Sequence, residues 1–599
     1  MCGIFGYVST TPLSPEIVFT GLRNLEYRGY DSWGIALKQE SRSKNNESRI
    51  LVEKLVGKID KSKLYQSPIT NHQSQLAIGH TRWATHGGVT VKNAHPHLDC
   101  TKTLALVHNG IFENYEEIKT KLIKRGHKFE SETDTETIVH LIEYHQKTQG
   151  FATAVRNTFN QMSGLNAFVV INSVSRELIA VKNGSPLIIG ISPSSYFVAS
   201  DISALPPMTT KIVLLKDYQM VILGEKIKII DTKTGKEIKF KSETFRNDNK
   251  LNSKGNFKHF LIKEIYDQPR MLENIAKSND PNIEKLGKTI KNAYGTFMLG
   301  CGTASYAALA GTYLFSKIAK KHVNFAVGSE FEYLQDYIKK NSLIIPISQS
   351  GETIDVVEPV KNAKEKGATI VPVVNVATST LARLGDYSLN INAGIEKAVV
   401  GTKSFTAMIA VLLLAAYSVS GDNKTGQRLL LKTSKDLKTI LKNNNLLKIK
   451  KLSAKLSKKE SIFTIGRGLS YIAALEGALK LKETALIHAE GFAGGELKHG
   501  VLALIEKKTP CIVFAPNDKT YPEIISNAAE IKSRGGFIIG VGPKNNSVFD
   551  EFLKTSDLSE ATLISQTVYM QLLAYYLALK RGIKDPDKPR NLAKSVTVK

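Results

Sequence analysis

An internal repeat in the second half of the chain constrains the fold more than any other sequence feature. The segment Phe297–Thr303, FMLGCGT, is echoed by Phe463–Leu469, FTIGRGL, and Gly300 and Gly466 lie 166 residues apart. In each copy an apolar strand leads into a Gly-x-Gly turn and an Ala/Leu-rich helix. Alternation of strands and helices predicts a parallel sheet covered by helices, so we expect two similar doubly wound α/β domains. Neither copy has the full GxGxxG spacing of a dinucleotide site.

A hydroxyl-rich stretch follows an apolar strand in the first copy. Residues Ile347–Thr353 are ISQSGET. Small hydroxyl residues and glycine at a strand-to-helix turn can hold a phosphate group through backbone N–H and hydroxyl donors. The same residues can also serve only as a helix cap, and at this point both interpretations stay open.

The second copy carries charged residues on its predicted helix. Lys480 and Glu483 are three residues apart and share one helical face, and His499 follows in the segment GELKHG. A solvent-exposed ion pair is the simpler interpretation. In a phosphosugar pocket the carboxylate could instead move a proton between sugar carbons while the lysine stabilises the enolate oxygen. A histidine could open the sugar ring by acid–base action.

The N-terminus places a cysteine directly after the initiator methionine. If Met1 is removed, Cys2 carries both a thiol and a free α-amine, so that one residue supplies a nucleophile and a base. A small, partly buried cysteine at the start of a strand is the simpler alternative.

The first 224 residues show short strands, glycine punctuation and two helical stretches. The helices are expected at Pro12–Asn24 and Thr135–His145. Strands are expected at Leu104–Val107, Ala167–Asn172 and Ile212–Leu215. Strands with helices stacked on them indicate a layered α/β domain.

Three loops in this region carry polar residues that a core does not need. Arg82 lies in the segment HTRWATHG and offers a planar fork for a carboxylate. Asn109 and Gly110 could present two N–H groups to one oxygen as an oxyanion hole, or could form an Asn-Gly hairpin turn. Ser131–Glu136, SETDTE, is a helix-capping pattern whose carboxylates could also hold an ammonium group.

The motifs MCGIFGY, HTRWATHG, NAHPH, VHNGIFEN and SETDTE resemble the glutaminase domain of N-terminal-nucleophile amidotransferases. The resemblance implies an αββα layer fold with Cys2 as the nucleophile and Asn109 with Gly110 as the oxyanion hole. It implies a glutamine site that consists of Arg82, Thr85, His86 and Asp134. Trp83 matches the aromatic residue that this family uses as a gate.

The segment ISQSGET resembles the phosphosugar-binding loop of sugar isomerase (SIS) domains, and the tail Asp587–Lys599 resembles the end of the isomerising amidotransferases. This resemblance covers nearly the whole chain and implies glutamine and fructose 6-phosphate as substrates. It implies Lys594 as the imine-forming residue, Glu483 as the isomerising base and Lys480 as its helper. It implies His499 as the ring opener, supplied by the neighbouring subunit of a homodimer. Ala593 would join Trp83 at a gate for ammonia, and the phosphosugar would contact Thr303, Ser348, Gln349, Ser350, Thr353 and Val399.

Two positions depart from the family pattern. Where relatives have GTS followed by Tyr, this chain has Gly302–Tyr306, GTASY, so either Ala304 or Ser305 takes the place of the family serine. The chain ends in Lys599 where relatives often end in Glu.

The chain has 599 residues, too many for a single core. We expect a glutaminase domain at 2–224, a linker with a connecting helix at 225–278, SIS domains at 279–422 and 445–587, and a catalytic tail at 588–599.

Composition excludes several other classes of protein. The net charge is +26, but the basic residues are spread along the chain, so we expect a charged surface and no nucleic-acid partner. The apolar run Phe405–Val419 is short for a membrane span and is expected to be a buried helix.

The four cysteines, at positions 2, 100, 301 and 511, are far apart, so neither disulfides nor a zinc site is predicted. With no signal peptide visible, we expect a cytoplasmic enzyme that needs no metal or organic cofactor.

Two alternative functions share part of these motifs. Phosphoribosyl transfer and asparagine synthesis use a similar N-terminal domain, but they need a pyrophosphate-binding or ATP-binding loop, and the chain has no SGGxDS-like stretch. A non-catalytic phosphosugar sensor would use the SIS pair for binding alone. The presence of Glu483, His499 and Lys594 argues against a sensor.

Overall fold

The structure is a computed structural model that describes residues 2–40, 48–59, 68–245, 254–278 and 280–596. The described residues fall into two compact units. Those up to 245 form the first unit together with 593–596, and those from 254 to 592 form the second.

The first unit contains two antiparallel sheets, with strands numbered in chain order. The first sheet consists of β1 (Gly3–Leu13), β2 (Ser32–Gln39), β3 (Arg49–Val56), β4 (Ser74–Arg82), β9 (Ile188–Ile191), β10 (Ser195–Ala199), β11 (Lys211–Leu214) and β14 (Glu243–Thr244). Their order across the sheet is β14-β11-β9-β10-β1-β4-β2-β3. The strand that follows Cys2 therefore lies at the centre of this sheet, paired on both sides.

The second sheet has six strands. They are β5 (His97–Leu98), β6 (Leu104–Gly110), β7 (Asn166–Asn172), β8 (Leu178–Asn183), β12 (Gln219–Leu223) and β13 (Ile227–Asp231). Their order is β13-β12-β8-β7-β6-β5. The helices of this unit are α1 (Glu16–Leu25), α2 (Tyr115–Lys124), α3 (Thr135–Gln146) and α4 (Phe151–Gln161).

The two sheets pack face to face between layers of helix. Ile4 and Leu76 of the first sheet pack with Val107 and Val169 of the second in one buried core. The outer face of the first sheet packs on α1, and the outer face of the second packs on α2, α3 and α4. Because β-strand side chains alternate between faces, each sheet is apolar on both sides. The predicted αββα layer fold is confirmed.

The boundaries of some predicted elements were wrong. Pro12 and Leu13 belong to β1, and α1 begins only at Glu16, after Pro15. The predicted linker contains folded strands, because β13 pairs with β12 through an alternating Ile-Lys-Ile pattern. The predicted helix at Thr135–His145 is confirmed as α3.

The second unit begins with two helices, α5 (Phe260–Lys277) and α6 (Pro281–Asn292). The first parallel sheet follows, with strands β15 (Gly295–Gly300), β16 (Asn324–Val327), β17 (Ser342–Ser348), β18 (Thr369–Ile370), β19 (Val373–Val374) and β20 (Leu389–Asn390). Its order is β16-β15-β17-β19-β20, with β18 beside β17. The helices around it are α7 (Thr303–Leu314), α8 (Ile354–Glu365), α9 (Thr380–Leu384) and α10 (Lys403–Ser420).

Two further helices, α11 (Asn423–Ile440) and α12 (Asn443–Leu456), lead to the second parallel sheet. Its strands are β21 (Ser461–Gly466), β22 (His488–Ala493), β23 (Pro510–Phe514), β24 (Phe537–Gly542) and β25 (Glu551–Lys554), and its helices are α13 (Leu469–Ala485), α14 (Tyr521–Ser533) and α15 (Thr562–Lys580). The order β22-β21-β23-β24-β25 repeats that of the first sheet. The two doubly wound domains predicted from the repeat are confirmed.

The Gly-x-Gly turns of the two copies have the same backbone. Gly302 precedes α7 with φ 56° and ψ −129°, and Gly468 precedes α13 with φ 56° and ψ −132°. A positive φ at both places explains why each copy has glycine there.

One described helix, α10, is long and apolar enough to cross a membrane, but 89% of it is buried inside the protein. It packs into the shared core of the second unit, as expected for the run Phe405–Val419.

Candidate active sites

Cys2 lies at the start of β1, where three groups fix its position. The backbone N–H of Trp83 donates a hydrogen bond to the Cys2 sulfur over 3.2 Å. Asn109 Nδ2 and Arg28 Nε donate to the Cys2 carbonyl oxygen over 3.1 and 3.2 Å. An N–H directed at the sulfur stabilises a negative charge there, so the Cys2 side chain is held in a position suited to nucleophilic attack.

Hydrogen bonds to His80 and Ser200 fix the orientation of the Asn109 side chain. His80 Nε2 lies 3.1 Å from Asn109 Oδ1 and 2.9 Å from the His108 carbonyl oxygen. Both partners are acceptors, so Nε2 carries the proton. Burial lowers the pKa of His80 to about 3, which keeps its ring neutral. The Asn109 amide also donates to Ser200 Oγ over 3.0 Å, and it therefore has one orientation.

Gly110 has no room for a side chain. Its φ is +139°, and an added Cβ would lie 2.3 Å from the Leu165 carbonyl oxygen. This close contact and the positive φ explain why glycine occupies the last position of β6. The Asn109–Gly110 pair is part of a strand and does not form a tight hairpin turn.

Arg82 is buried beneath the loop that follows it. Its guanidinium donates to the carbonyl oxygens of His86, Gly87 and Gly88 over 2.5, 3.1 and 3.0 Å. Burial lowers the pKa of Arg82, and the nearby carboxylates of Asp31 and Asp134 oppose this effect. The arginine therefore shapes the loop of Trp83–Gly88 and brings a positive charge to this end of β4.

Asp134 is buried at the N-terminus of α3. Its Oδ2 accepts the Phe112 N–H over 2.8 Å, and its Oδ1 accepts the Thr135 hydroxyl over 3.4 Å. The carboxylate keeps further lone pairs for an ammonium group.

The remaining residues predicted for this site lie on the loop after β4. Thr85 is exposed, and the His86 ring packs edge-on against Tyr115 with ring centroids 5.7 Å apart. Trp83 is half-buried and packs edge-on against Tyr30 with centroids 5.9 Å apart.

A buried ionic cluster occupies the second unit. Lys480 Nζ on α13 lies 2.6 Å from Glu483 Oε2 and 3.2 Å from Glu476 Oε1. It donates to Thr303 Oγ1 over 2.9 Å and to the Gly401 carbonyl oxygen over 3.1 Å. The cluster joins the helix of the second copy to the Gly-x-Gly turn of the first. The simpler interpretation, a solvent-exposed pair, is therefore wrong, because the Lys480 side chain is only 1% exposed.

Two carboxylates share the single ammonium of this cluster. Burial raises the pKa of Glu476 to about 7, although the positive charge of Lys480 opposes this. Burial also disfavours the Lys480 charge, but the charges of Glu476 and Glu483 outweigh it and raise the pKa of Lys480. Since Glu476 is fully buried and Glu483 is 21% exposed, Glu483 is the carboxylate that faces the solvent side of the cluster.

The hydroxyl-rich loop lies between β17 and α8. Ser348 Oγ accepts the Gly351 N–H over 3.0 Å and lies 3.2 Å from Thr353 Oγ1, and Ser350 Oγ accepts the Glu352 N–H over 3.2 Å. Gly351 has φ +65°, and an added Cβ would lie 2.0 Å from Ser379 Oγ. The loop is thus tightly folded at the N-terminus of α8, where backbone N–H groups favour an anion.

Other residues of the loop region have structural contacts. The Gln349 carbonyl oxygen accepts the Asn375 N–H over 3.2 Å. Ser305 Oγ donates to the Gly302 carbonyl oxygen over 2.8 Å, so its hydroxyl is bonded within the first turn of α7.

The segment before the tail is anchored at Asp587. The Asp587 carboxylate accepts the N–H groups of Phe260 and Leu261 over 2.8 and 2.7 Å, and its carbonyl oxygen accepts the Val399 N–H over 2.8 Å. Val399 is buried. The carboxylate satisfies two free N–H groups at the start of α5.

The remaining predicted residues, His499, Ala593 and Lys594, are more exposed to solvent than Lys480. His499 is exposed at the end of a 3₁₀ segment, Gly494–His499. Ala593 and Lys594 are half-buried and belong to the first compact unit. The expected difference at Lys599 lies outside the described residues.

Sequence reasoning missed several residues that position these sites. Glu476 lies one helical turn before Lys480, and this i,i+4 spacing was a signal that could have identified it. The fold alone brings Arg28 into contact with Cys2, and His80 and Ser200 into contact with Asn109. No spacing pattern in the sequence indicates these contacts.

Comparison with known proteins identifies the domains that contain these residues. A glutamine amidotransferase domain profile matches residues 80–207, and a SIS domain profile matches residues 289–418 and 455–580. The C-terminal domain of glucosamine-fructose-6-phosphate aminotransferase from Francisella tularensis superposes with a TM-score of 0.50 and 32% identity, covering 55% of this chain and 98% of that one.

Curated relatives match over their full length. The glutamine–fructose-6-phosphate aminotransferase (isomerizing) of Pyrococcus horikoshii is 41% identical over 613 residues, and that of Aquifex aeolicus is 40% identical over 612 residues. In both cases the match covers 100% of this chain and 100% of the relative. The chain therefore belongs to the family of isomerising glutamine–fructose-6-phosphate aminotransferases.

Proposed function

We propose that this chain converts glutamine and fructose 6-phosphate into glutamate and glucosamine 6-phosphate. The observation that carries the proposal is the buried Lys480, which joins Thr303 of the first SIS copy to Glu483 of the second. A buried charge needs a partner, and this one is arranged at the junction of two sugar-phosphate domains. The family relationship supports the same activity.

The first half of the reaction takes place at Cys2. Its sulfur attacks the side-chain amide carbon of glutamine, the α-amine exposed by removal of Met1 acts as the base, and ammonia leaves. Water then hydrolyses the thioester to release glutamate. Asn109 and Gly110 stabilise the oxyanion, and Arg82, Thr85, His86 and Asp134 hold the α-carboxylate and α-ammonium groups of glutamine. The Asn109 amide nitrogen lies 3.1 Å from the Cys2 carbonyl oxygen, which supports this assignment by position. One of its two N–H groups then leaves its present acceptor, the Cys2 carbonyl oxygen or Ser200 Oγ, to reach the oxyanion.

The second half takes place in the SIS pair. Ser348, Gln349, Ser350 and Thr353 bind the phosphate group, with Thr303 and Val399 beside the sugar. Lys594 forms an imine with C2 of the open-chain ketose, and ammonia displaces the lysine from that carbon. Glu483 then transfers a proton from C1 to C2, while Lys480 stabilises the negative charge on the C1 oxygen. The product is the 2-amino aldose phosphate.

Two further parts of the proposal concern transfer and assembly. Trp83 and Ala593 form the gate through which ammonia passes from one site to the other. The enzyme acts as a homodimer in the cytoplasm, and His499 of one subunit opens the sugar ring in the other. The exposed position of His499 supports this role, because an exposed side chain is available to a second subunit.

A coupled assay tests the activity. Purified protein that begins at Cys2 is given glutamine with and without fructose 6-phosphate, and glutamate and glucosamine 6-phosphate are quantified. We expect equal yields of both products and faster glutamate release with the sugar. Cys2→Ala should abolish both products from glutamine while the protein remains folded.

Other outcomes would reject parts of the proposal. Glutamate without amino sugar would point to another acceptor, such as a phosphoribosyl group. Full glutamine-dependent activity of Cys2→Ala would reject the nucleophile, and no turnover with either glutamine or ammonia would favour a phosphosugar sensor.

A further inference from the structure

Four metal-ligand side chains meet in the first unit, away from Cys2 and its partners. They are Cys100, His127, His140 and Glu143, whose ligand atoms all lie within 4.8 Å of one another. Cys100 Sγ lies 3.6 Å from His140 Nδ1 and 3.9 Å from His127 Nδ1. Glu143 Oε2 lies 3.0 Å from His127 Nδ1 and 3.1 Å from His140 Nδ1.

Three separate segments bring these side chains together. Cys100 lies in the turn between β5 and β6. His127 lies in the loop after α2, where its N–H donates to the Leu122 carbonyl oxygen over 3.1 Å. His140 and Glu143 are three residues apart on one face of α3.

The spacing of the four atoms suits a tetrahedral ion. Zinc lies about 2.0–2.1 Å from histidine nitrogen and about 2.3 Å from cysteine sulfur, so neighbouring ligand atoms in a tetrahedron are about 3.3–3.6 Å apart. Four of the six distances among these atoms, 3.0 to 3.9 Å, bracket these values, and no pair is separated by more than 4.8 Å. A thiolate with two imidazoles selects a borderline-soft ion such as zinc over magnesium or calcium.

The surroundings of the cluster provide an outer shell. His140 Nε2 lies 3.6 Å from Glu136 Oε1, and the Glu136 carboxylate is fixed by N–H groups of Glu130 and Ser131. The Lys128 N–H donates to Cys100 Sγ over 3.4 Å. Outer carboxylates of this kind orient metal-bound histidines, and N–H donors stabilise bound thiolates.

We propose that Cys100, His127, His140 and Glu143 bind one structural divalent metal ion of the zinc type. Binding releases the Cys100 thiol proton to solvent, and the thiolate and the Glu143 carboxylate neutralise the two positive charges of the ion. Both histidines are buried while Cys100 is exposed, so the ion enters from the Cys100 side. All four positions are filled by protein, which marks a structural site and not a catalytic one.

The proposed ion would brace the helix beside the glutamine site. Helix α3 begins directly after Asp134, and it carries two of the four ligands. An ion bound to α3, to the turn at Cys100 and to the loop at His127 ties the helix to both neighbouring segments.

The test measures metal content in the full-length protein. The protein is loaded with zinc, dialysed against a weak chelator and analysed by mass spectrometry for metals. We expect about one zinc ion per chain in the wild type and in Cys301→Ser, the matched control. Cys100→Ser and His127→Gln should retain almost none, and Glu136→Gln should bind zinc about 10–100-fold more weakly because it removes an outer-shell partner.

Cobalt gives a second readout that does not depend on enzyme activity. Cobalt-loaded wild-type protein should show a thiolate-to-cobalt charge-transfer band, and Cys100→Ser should lack it while keeping the circular dichroism of the wild type. Because Cys100 is exposed, this variant is expected to fold. The proposal is overturned if the wild type retains no more zinc than Cys100→Ser, or if the charge-transfer band persists in that variant. In that case the four side chains form only a hydrogen-bonded cluster.

Discussion

The two SIS copies have the same strand order and the same Gly-x-Gly backbone, yet they differ in where their polar residues lie. In the first copy, the strand β17 leads into the hydroxyl loop Ser348–Thr353, whereas in the second the strand β23 leads into a loop whose Thr520 bonds to Asp518. In the second copy, the helix α13 buries Glu476 and Lys480, whereas the equivalent positions of α7, at the 166-residue spacing, are the buried Ala310 and Leu314.

This difference shows how a duplicated fold can divide one reaction between its copies. The doubly wound sheet determines only the backbone of the turns at the carboxyl ends of its strands. The first copy has hydroxyl groups at such a turn, suited to a phosphate, and the second has acid–base groups on the helix that follows. Because Lys480 bonds to Thr303, the two halves of the site meet across the repeat.

The largest expected effect comes from the acid–base group of the second copy. Glu483→Gln removes the proposed proton carrier, so we expect the kcat for glucosamine 6-phosphate to fall by about 10²–10⁴-fold. Fructose 6-phosphate binding, which we propose for the hydroxyl loop of the first copy, should stay close to that of the wild type. Glu490→Gln, an exposed carboxylate on β22, is the control. A Glu483→Gln enzyme with normal kcat would place the chemistry elsewhere.

The next largest effect is the contribution of Glu476 to the pH dependence of the free energy of unfolding. Because its pKa is raised by burial from 4.5 to about 7, the folded state keeps this proton to a higher pH than the unfolded chain. Its contribution to the free energy of unfolding is therefore complete below pH 4.5 and is lost as the pH rises to about 7. The loss amounts to about 3 kcal/mol.

Urea unfolding of wild type and Glu476→Gln across this pH range isolates that contribution. The wild type should lose about 3 kcal/mol relative to the variant between pH 4.5 and 7.5. A stability difference that does not change with pH would show that Glu476 is ionised in the fold, and that the second copy buries a complete ion pair.

A matched pair of threonines tests the phosphate loop. Thr353 precedes α8 in the first copy, and Thr520 precedes α14 in the second. A hydrogen bond to a charged group contributes about 1.5–3 kcal/mol, so Thr353→Val should weaken fructose 6-phosphate binding by about 10–100-fold. Thr520→Val should leave it unchanged. Calorimetric titration with fructose 6-phosphate measures the affinity of both variants. An equal loss of affinity in the two variants would contradict the difference between the two SIS copies.

The smallest effect is expected at the apolar counterpart of Lys480. Leu314→Met keeps the volume of a fully buried side chain, so it should cost less than about 1.5 kcal/mol of stability and leave turnover unchanged. Lys480→Met should abolish amino-sugar formation. Turnover and urea unfolding are measured for Leu314→Met and Lys480→Met. A large loss of turnover in Leu314→Met would show that helix α7 of the first copy takes part in the chemistry.

The layered architecture could be predicted because it follows from local pattern. The repeated Gly-x-Gly turns indicated two parallel sheets, and apolar runs such as Ala167–Asn172 marked the strands of the first unit. The strand β13 was missed because its lysine-rich surroundings obscure a short alternating segment. Pro12 was assigned to a helix because α1 begins only four residues later, although Pro12 lies within β1.

Candidate site residues could be proposed from the sequence where one short segment contains them, as in Ser348–Thr353 or the Lys480–Glu483 pair. Contacts between distant segments could not be predicted. Ser200 reaches Asn109 from 91 residues away. The four residues of the proposed metal site are separated by 27, 13 and 3 residues, which matches no known ligand spacing. Only the fold shows that they meet.

The anchoring of Asp587 limits how far the end of the chain can travel. This residue is bonded to the start of α5 and to Val399, and Lys594 follows it by seven residues. Seven residues span at most about 25 Å when fully extended. The amine of Lys594, for which we propose imine formation, is therefore confined to the volume that this tether allows, and its effective concentration for a sugar carbonyl within reach is set by the tether and not by diffusion. On that proposal, shortening or lengthening the tether should change the rate of imine formation while both SIS sheets stay intact.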